Sequence, residues 1–346
     1  MLVAVCNNWI HLRRCLGARV AGMHPIHKFA LTLLLLCCGL AHAQGAAPDA
    51  AVQVVDQEWS DAARSRVVPV RLRVPAGGGP FPVLLFSHGL GGSRGGGEMW
   101  GDWWAHHGYI VVHMQHPGSD ESLWRGQGAR AMSNVRAGMN AKNANLRVGD
   151  VGFVLDELAR RRGLGDALLV HADLQHIGLA GHSFGAQTTL AVAGEKGFFA
   201  GTRADPRIRA AIAMSPASWG AQADEMTARY AGIRIPFMSL TGTEDRVPLT
   251  PQITPENRRL PFKYMPGPDK YLLVLNGANH MVYNGEPELR HAWTEQNRTV
   301  HAPLIEEVTL DFWDAYLKGD ARARAALGRD GAFSQSLAGR GEWQLK

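Results

Sequence analysis

The chain has 346 residues, of which 46% are hydrophobic, a composition that suits one large folded domain or two small ones and excludes a disordered main body. Its formal net charge is +5, but four of the 36 basic residues and none of the 31 acidic ones lie in residues 1–43. The remainder is nearly neutral, so the composition predicts no basic surface for nucleic acid.

Residues 24–43 have the three parts of a secretory signal peptide. A basic segment ending at Lys28 is followed by an apolar run from Phe29 to Leu40, and Ala41-His42-Ala43 provides an A-x-A cleavage site. The apolar run is too short to span a bilayer comfortably. We therefore expect residues 1–43 to be a removed leader, the rest to lack stable membrane insertion, and the protein to be periplasmic or secreted.

Two further features concern the leader. Residues 1–22 fit neither a signal peptide nor a fold, so we predict that translation starts at Met23. The leader also contains all four cysteines, so the mature chain would have no disulfide, no cysteine nucleophile and no thiolate metal site. The alternative is a lipid anchor at Cys37 or Cys38, but neither Leu36 nor Cys37 is the small residue expected before such a site.

Residues 44–51 are small and polar and are predicted to be a flexible lead-in. After them, apolar runs alternate with amphipathic segments. The predicted strands are Val54–Trp59, Val67–Pro75, Phe81–Ser87, Tyr109–Met114, His176–Ala180, Ile208–Met214, Ile233–Leu240 and Lys270–Leu275. The predicted helices are Met99–His107, Asn145–Arg162, a helix starting at Ala186, and Pro303–Leu317.

This alternation predicts an α/β fold in one domain over residues 52–320, with a mostly parallel central sheet and helices on both faces. We find no insertion that would form a large lid domain, and residues 321–346 are interpreted as a charged C-terminal tail of uncertain order. The carboxyl ends of parallel strands share one edge of a sheet, so we expect the functional site there.

The pentapeptide Gly181-His182-Ser183-Phe184-Gly185 has the G-x-S-x-G pattern and lies between a buried strand and a helix. That context is typical of a nucleophile elbow, in which a strained turn projects the serine hydroxyl clear of the backbone. The two glycines keep side chains out of the crowded approach of strand and helix. Ser183 is therefore the candidate nucleophile, with a serine in an ordinary glycine-rich turn as the alternative.

A serine nucleophile needs an imidazole to accept its proton and a carboxylate to orient that imidazole. His280 lies in a small-residue loop after the last predicted strand, whereas His182 is interpreted as a packing residue. Asp245 follows the preceding strand. We favour it over Glu244, because a turn usually lets one of two neighbours face the sheet edge. A surface turn acid and a histidine that merely fills a turn are the alternatives.

The segment His88-Gly89-Leu90-Gly91-Gly92-Ser93 follows another predicted strand. It lacks the lysine and the glycine spacing of phosphate-binding loops. In a serine hydrolase, a backbone N–H of such a loop binds the oxyanion together with the N–H of the residue after the nucleophile. We assign these donors to Leu90 and Phe184, with a plain flexible loop as the alternative.

Histidines also lie at and just after the end of the predicted strand Tyr109–Met114. His113, His116 and Asp120 are close enough in sequence to suggest a metal site. We favour polar residues at a strand end beside the cleft instead, and expect neither a metal nor a cofactor.

These motifs resemble those of the α/β-hydrolase superfamily over about residues 50–320. Within it, the sequence is similar to a bacterial group related to dienelactone hydrolases, platelet-activating-factor acetylhydrolases and chlorophyllases. Phe86-Ser87-His88-Gly89-Leu90-Gly91 and the Ser183 pentapeptide look like the acetylhydrolase motifs, and Asp61, Arg64 and Arg66 resemble that group's amino-terminal signature. The resemblance implies an α/β-hydrolase fold and oxyanion donors at Leu90 and Phe184.

The sequence departs from these relatives at two positions. Dienelactone hydrolases use a cysteine nucleophile where this chain has Ser183. The acetylhydrolases place their acid after the strand that follows the elbow, but here that strand ends in Ser215-Pro216, so the acid moves to Asp245. This arrangement is more like chlorophyllases, cutinases and bacterial polyester hydrolases. Trp219 lies where polyester hydrolases often have an aromatic substrate contact, although a core or surface tryptophan is equally consistent.

The sequence therefore predicts an exported serine esterase that uses Ser183, His280 and Asp245 and acts on short-acyl or aryl esters, including polymeric ones. A serine peptidase of related fold and a non-catalytic binding protein on the same scaffold are the alternatives. The sequence leaves the oligomeric state open.

Overall fold

The computed structural model describes residues 51–196, 203–218, 222–286 and 293–346. Within these residues, nine strands form a single sheet in the order β1-β2-β4-β3-β5-β6-β7-β8-β9. The strands from β4 to β8 in that order are parallel, whereas β1, β2 and β9 pair antiparallel at the two edges. This is the mostly parallel α/β architecture that the sequence predicts.

The strands are β1 Val52–Asp61, β2 Arg66–Pro75, β3 Phe81–Ser87, β4 Ile110–Met114, β5 Ala172–His182, β6 Ile208–Met214, β7 Phe237–Glu244, β8 Lys270–Asn279 and β9 Gly341–Leu345. The α-helices of the described residues are α1 Glu98–His106, α2 Ala131–Gly138, α3 Ala141–Gly163, α4 Phe184–Ala193, α5 Ala223–Tyr230, α6 Pro255–Tyr264, α7 Ala302–Leu317, α8 Ala321–Ala326 and α9 Ala332–Leu337. Short 3₁₀ turns occupy Glu121–Leu123, Gly128–Arg130 and His280–Asn284, and a π-helical turn at Asn297–His301 leads into α7.

Apolar side chains of the sheet alternate between its two faces because successive residues of a strand point in opposite directions. In β8, for example, Leu273 and Leu275 pack in the same cluster as the buried tryptophans of α1 and α7. Leu272 and Val274 face the other way, toward Phe262 of α6. The opposite face is completed by α3, α4 and α5. Helices therefore cover both faces, as the sequence predicts.

The C-terminal segment differs from the sequence interpretation. Residues 321–346 form α8, α9 and β9, and β9 pairs antiparallel with β8. Phe333 and Leu337 of α9 are buried in the core cluster that contains α7. Helices and strands this short carry little hydrophobic periodicity, so the sequence pattern does not separate them from a tail.

No helix in the ranges given above combines the length and the hydropathy that a membrane span requires. The leader over residues 1–43 and most of the 44–51 lead-in lie outside the described residues.

A buried carboxyl group follows helix α4. Glu195 is 4% exposed, and burial raises its pKa to about 7 against the opposing effects of Arg229 and the Tyr230 hydroxyl. Because this folded-state pKa lies above the ordinary value of 4.5, the stability that protonated Glu195 contributes is lost as the pH rises from about 4.5 to about 7.

The variant Glu195→Gln is therefore expected to be more stable than the wild type in alkaline solution. We expect a gain in the free energy of unfolding of about 2 kcal/mol at about pH 8 that shrinks toward about pH 5, where the folded carboxyl is protonated. Urea unfolding of both proteins at the two pH values measures this difference. A stability difference that is independent of pH would contradict it.

Candidate active site

Ser183 lies at the junction between β5 and α4, at the carboxyl edge of the sheet. Its backbone has φ 55 and ψ −113, a left-handed conformation that a residue with a side chain rarely adopts. The turn is tight: a Cβ on Gly185 would lie 1.8 Å from the carbonyl oxygen of Ser87, and one on Gly181 would lie 2.4 Å from that of Gly185. The local sequence therefore forms the strand–turn–helix arrangement of a nucleophile elbow.

The structure brings His280 and Asp245 together from the ends of neighbouring strands. Nδ1 of His280 lies 2.7 Å from Oδ1 of Asp245, and His280 is 8% exposed while Asp245 is fully buried. The hydroxyl of Thr241 donates to the other carboxylate oxygen at 2.8 Å. Because the carboxylate accepts from Nδ1, the neutral ring presents Nε2 as a proton acceptor. His280 and Ser183 line the same cavity.

A buried arginine also contacts this carboxylate. Arg258 of α6 is 2% exposed, and its Nε lies 2.9 Å from Oδ1 of Asp245 and 2.8 Å from the Asp245 carbonyl oxygen. Its Nη1 donates to the carbonyl oxygen of Ser215 at 2.9 Å. Burial acts to raise the pKa of Asp245, but the hydrogen bond from His280 and the charges of His280 and Arg258 outweigh burial and lower it. Asp245 therefore stays ionised at neutral pH.

His182, next to the elbow serine, supports the loop that carries His280. Its Nε2 donates to the carbonyl oxygen of His280 at 3.0 Å, and the two rings lie 4.7 Å apart between centroids. Burial, followed by the charge of His280, lowers the pKa of His182 well below its ordinary value, so it is neutral. These contacts are those of a packing and supporting residue.

The residues assigned as oxyanion donors, Leu90 and Phe184, both line the cavity beside Ser183. Phe184 is the first residue of α4, so its N–H belongs to the positive end of the helix dipole. Leu90 follows β3 in the adjacent glycine-rich loop. Residues of two different elements thus line the cavity together with Ser183.

The cavity has a volume of about 710 Å³ and a mainly apolar lining. One wall comes from the segment between β4 and α3, which we call the cap segment, residues 117–140. The opposite wall comes from the loop between β7 and α6. The apolar side chains of the cap wall are Trp124, Val135 and Met139, and those of the opposite wall are Val247, Leu249 and Ile253. A cavity of this size and lining suits a ligand with an aromatic ring or several methylene groups.

Other residues singled out in the sequence have different surroundings. Glu244 is exposed, whereas its neighbour Asp245 is buried. His113 contacts the carbonyl oxygen of Gly96 at 3.0 Å, and His116 contacts Asp150 and Ser87. In the described ranges, no group of three or more histidine, cysteine, aspartate or glutamate side chains is arranged to hold a metal ion. Trp219 lies outside the described residues.

Sequence reasoning missed Arg258 and the apolar walls of the cavity. Arg258 belongs to a short helix with several charged neighbours, and nothing in that pattern indicates that its guanidinium reaches a carboxylate from another loop. In the cap segment, the sequence predicts a glycine-rich loop over residues 117–130 and helical periodicity from about Val135, and the structure has short turns followed by α2.

A strained serine at the carboxyl edge of a mostly parallel sheet, with helices on both faces, is the architecture of the α/β-hydrolases. Residues 61–140 match the family model described as "Platelet-activating factor acetylhydrolase, isoform II". The chain is thus similar to that α/β-hydrolase group, which supports a serine hydrolase acting on esters in general. The matched segment includes Leu90 and ends before Ser183. No curated protein matches the chain.

Proposed function

We propose that the protein is an exported serine esterase that hydrolyses carboxylic esters through Ser183, His280 and Asp245. The observation that carries the proposal is the 2.7 Å contact between His280 Nδ1 and the buried Asp245 carboxylate, because His280 lines the same cavity as the elbow serine. Export rests on the signal-like pattern of residues 24–43.

In the proposed reaction, Oγ of Ser183 attacks the ester carbonyl carbon while Nε2 of His280 takes the hydroxyl proton. The amides of Leu90 and Phe184 donate hydrogen bonds to the oxyanion. The tetrahedral intermediate then expels the alcohol, which leaves with the proton from His280. A water molecule, deprotonated by His280, attacks the acyl-enzyme, and collapse of the second intermediate releases the carboxylic acid and restores Ser183.

The test is covalent labelling combined with an ester assay. An aryl fluorophosphonate is expected to label the wild-type protein at Ser183, identified by peptide mass spectrometry, and to abolish hydrolysis of p-nitrophenyl esters in proportion to labelling. Absence of both labelling and hydrolysis in the folded protein would overturn the proposal and favour a binding protein on this scaffold. Cleavage of peptides in preference to esters would favour a peptidase.

The apolar walls support an aryl or short- to medium-chain acyl ester as substrate. Filling the cavity should therefore discriminate between substrates by size. We expect Val135→Trp, in the cap wall, to lower kcat/KM for p-nitrophenyl hexanoate by about 10-fold, because each methylene that loses its burial costs about 0.8 kcal/mol. The value for p-nitrophenyl acetate should change much less.

Met132→Trp is the matched control, because Met132 lies on the same helix, α2, but is 61% exposed. It should leave both substrates unaffected. Equal losses for acetate and hexanoate in Val135→Trp would show that this wall does not contact the acyl chain.

A further inference from the structure

A buried chain of polar side chains lies behind the loop that carries Leu90. The hydroxyl of Ser87, at the end of β3, lies 2.9 Å from Nε2 of His116, and Nδ1 of His116 lies 2.9 Å from Oδ2 of Asp150. All three side chains are fully buried. Burial and the charge of Arg147 lower the pKa of His116 to about 4, so its ring is neutral and donates from Nδ1 to the carboxylate.

These residue types match those of the proposed triad, but they do not form a second active site. Ser87, His116 and Asp150 are absent from the lining of the cavity. Asp150 also accepts from Arg66 at 2.7 Å and from Arg64 at 2.9 Å, which neutralises its charge. No substrate reaches a hydroxyl in this position, so these hydrogen-bonded side chains have a structural task.

That task involves His88, the next residue after Ser87. The backbone N–H of His116 donates to Nε2 of His88 at 3.0 Å, so Nε2 is unprotonated and the proton of the neutral ring is on Nδ1. Nδ1 in turn lies 2.6 Å from the carbonyl oxygen of Gly89 and donates to it. The ring is 1% exposed. A Cβ on Gly92 would lie 3.0 Å from Nδ1 of the ring, and one on Gly96 would lie 2.8 Å from the Cβ of His88. Glycines at both positions leave the space that the His88 side chain fills.

The carbonyl oxygen of Gly89 and the N–H of Leu90 belong to one rigid peptide plane and point in opposite directions. Holding the carbonyl therefore fixes the direction of the Leu90 N–H. The N–H of Gly92 also donates to this carbonyl, at 3.2 Å, so His88 supplies one of its two restraints. The imidazole and the β-turn thus orient the peptide together.

Arg147 of α3 connects the loop that carries Leu90 to Phe184, the second residue assigned as an oxyanion donor. Its Nη2 donates to the carbonyl oxygen of His88, and its Nε donates to the hydroxyl of Thr188 at 3.3 Å. Thr188 donates to the carbonyl oxygen of Phe184 at 3.2 Å, and the guanidinium lies 4.7 Å from the centroid of the Phe184 ring. A fully buried arginine is costly, and these contacts account for its position between the two loops.

We propose that His88 and Arg147 are positioning residues of the oxyanion hole, with the Ser87–His116–Asp150 chain holding His88 in its tautomer and place. This inference rests on the proposed esterase function. The side chains of His88 and Arg147 align the amides of Leu90 and Phe184 without contacting the substrate.

The test compares His88→Leu, which removes both ring contacts, with His88→Asn, which retains an N–H donor near the position of Nδ1. Because oxyanion stabilisation operates in the transition state, His88→Leu should lower kcat by about 10- to 100-fold with KM nearly unchanged. This decrease is smaller than the one expected when an oxyanion donor is removed completely. The inhibition constant of an arylboronic acid, whose serine adduct is tetrahedral, should rise in parallel. His88→Asn should recover most of the loss, and Arg147→Met should behave like His88→Leu.

His113→Leu is the matched control, because His113 is an equally buried histidine whose Nδ1 also contacts a backbone carbonyl, that of Gly96. It should leave kcat per active site, titrated with fluorophosphonate, unchanged. Wild-type-like kcat and boronate inhibition in folded His88→Leu, or equal losses in His88→Leu and His88→Asn, would overturn the inference. If His88→Leu does not fold, His88→Asn and Arg147→Met decide by the same readouts. A wild type without esterase activity would instead overturn the proposed function.

Discussion

Ser183→Ala is expected to lower kcat for p-nitrophenyl butyrate by on the order of 10⁵-fold, the largest effect of any single substitution in this protein. In the proposed mechanism the hydroxyl forms the acyl-enzyme, and the substitution leaves His280 without a nucleophile to activate at the elbow. The residual rate would come from the oxyanion amides and from substrate binding. Rates at saturating concentrations of a sensitive fluorogenic ester are needed to measure so small a residual kcat.

Ser93→Ala is the control for this experiment. Ser93 also lines the cavity, and its hydroxyl accepts from the N–H of Gly95 at 3.0 Å, so its removal changes the wall without touching the elbow. It should retain activity within a few-fold. Comparable rates for wild type and Ser183→Ala would remove the esterase proposal altogether.

Asp245→Asn is expected to lower kcat at neutral pH by on the order of 10⁴-fold. An asparagine amide that donates to Nδ1 of His280 would place the ring proton on Nε2, where the ring can no longer accept the serine proton. The substitution also leaves the buried Arg258 guanidinium without its carboxylate, so we expect a lower melting temperature as well. Steady-state kinetics and thermal unfolding of the same preparations separate the two effects.

Glu244→Gln is the matched control, because Glu244 is the adjacent acid and is exposed. It should retain wild-type activity and stability. If Glu244→Gln were inactive and Asp245→Asn active, the acid of the triad would have been assigned to the wrong neighbour.

Much of the architecture follows from local sequence patterns. The elbow is recognisable because steric constraints confine a tight strand-to-helix turn to a few residue types, and those constraints act within five residues around Ser183. His280 and Asp245 are identifiable because parallel strands bring their carboxyl ends to one edge, so that a position after a strand predicts proximity. For these residues, a correct prediction of the strands is nearly sufficient to predict that they lie close together.

Arg147 and Arg258 show where such reasoning ends. Each lies on a helix with a charged surface pattern, and the sequence shows only that it is a charged residue among others. Their burial depends on oxygen atoms supplied by distant segments, such as the carbonyl groups of His88 for Arg147 and Ser215 for Arg258. No pattern within one helix encodes these partners, so buried cations of this kind are accessible only from the tertiary structure.

The cap segment illustrates a second limit. Its 3₁₀ turns and the short helix α2 are below the length at which hydrophobic periodicity separates helix from loop, yet Trp124, Val135 and Met139 form a wall of the cavity. The lining of the cavity is therefore visible only in the structure, whereas the proximity of His280 and Asp245 was predictable from the sequence.

The backbone conformation at Ser183 lowers the stability of the fold at the position on which the proposed activity depends. A residue with a side chain held at φ 55 costs on the order of 1 kcal/mol or more, a penalty that glycine would not incur. Directed evolution for heat resistance alone would consequently favour glycine at position 183, so a screen for a robust variant that keeps the proposed activity has to select for turnover at the same time.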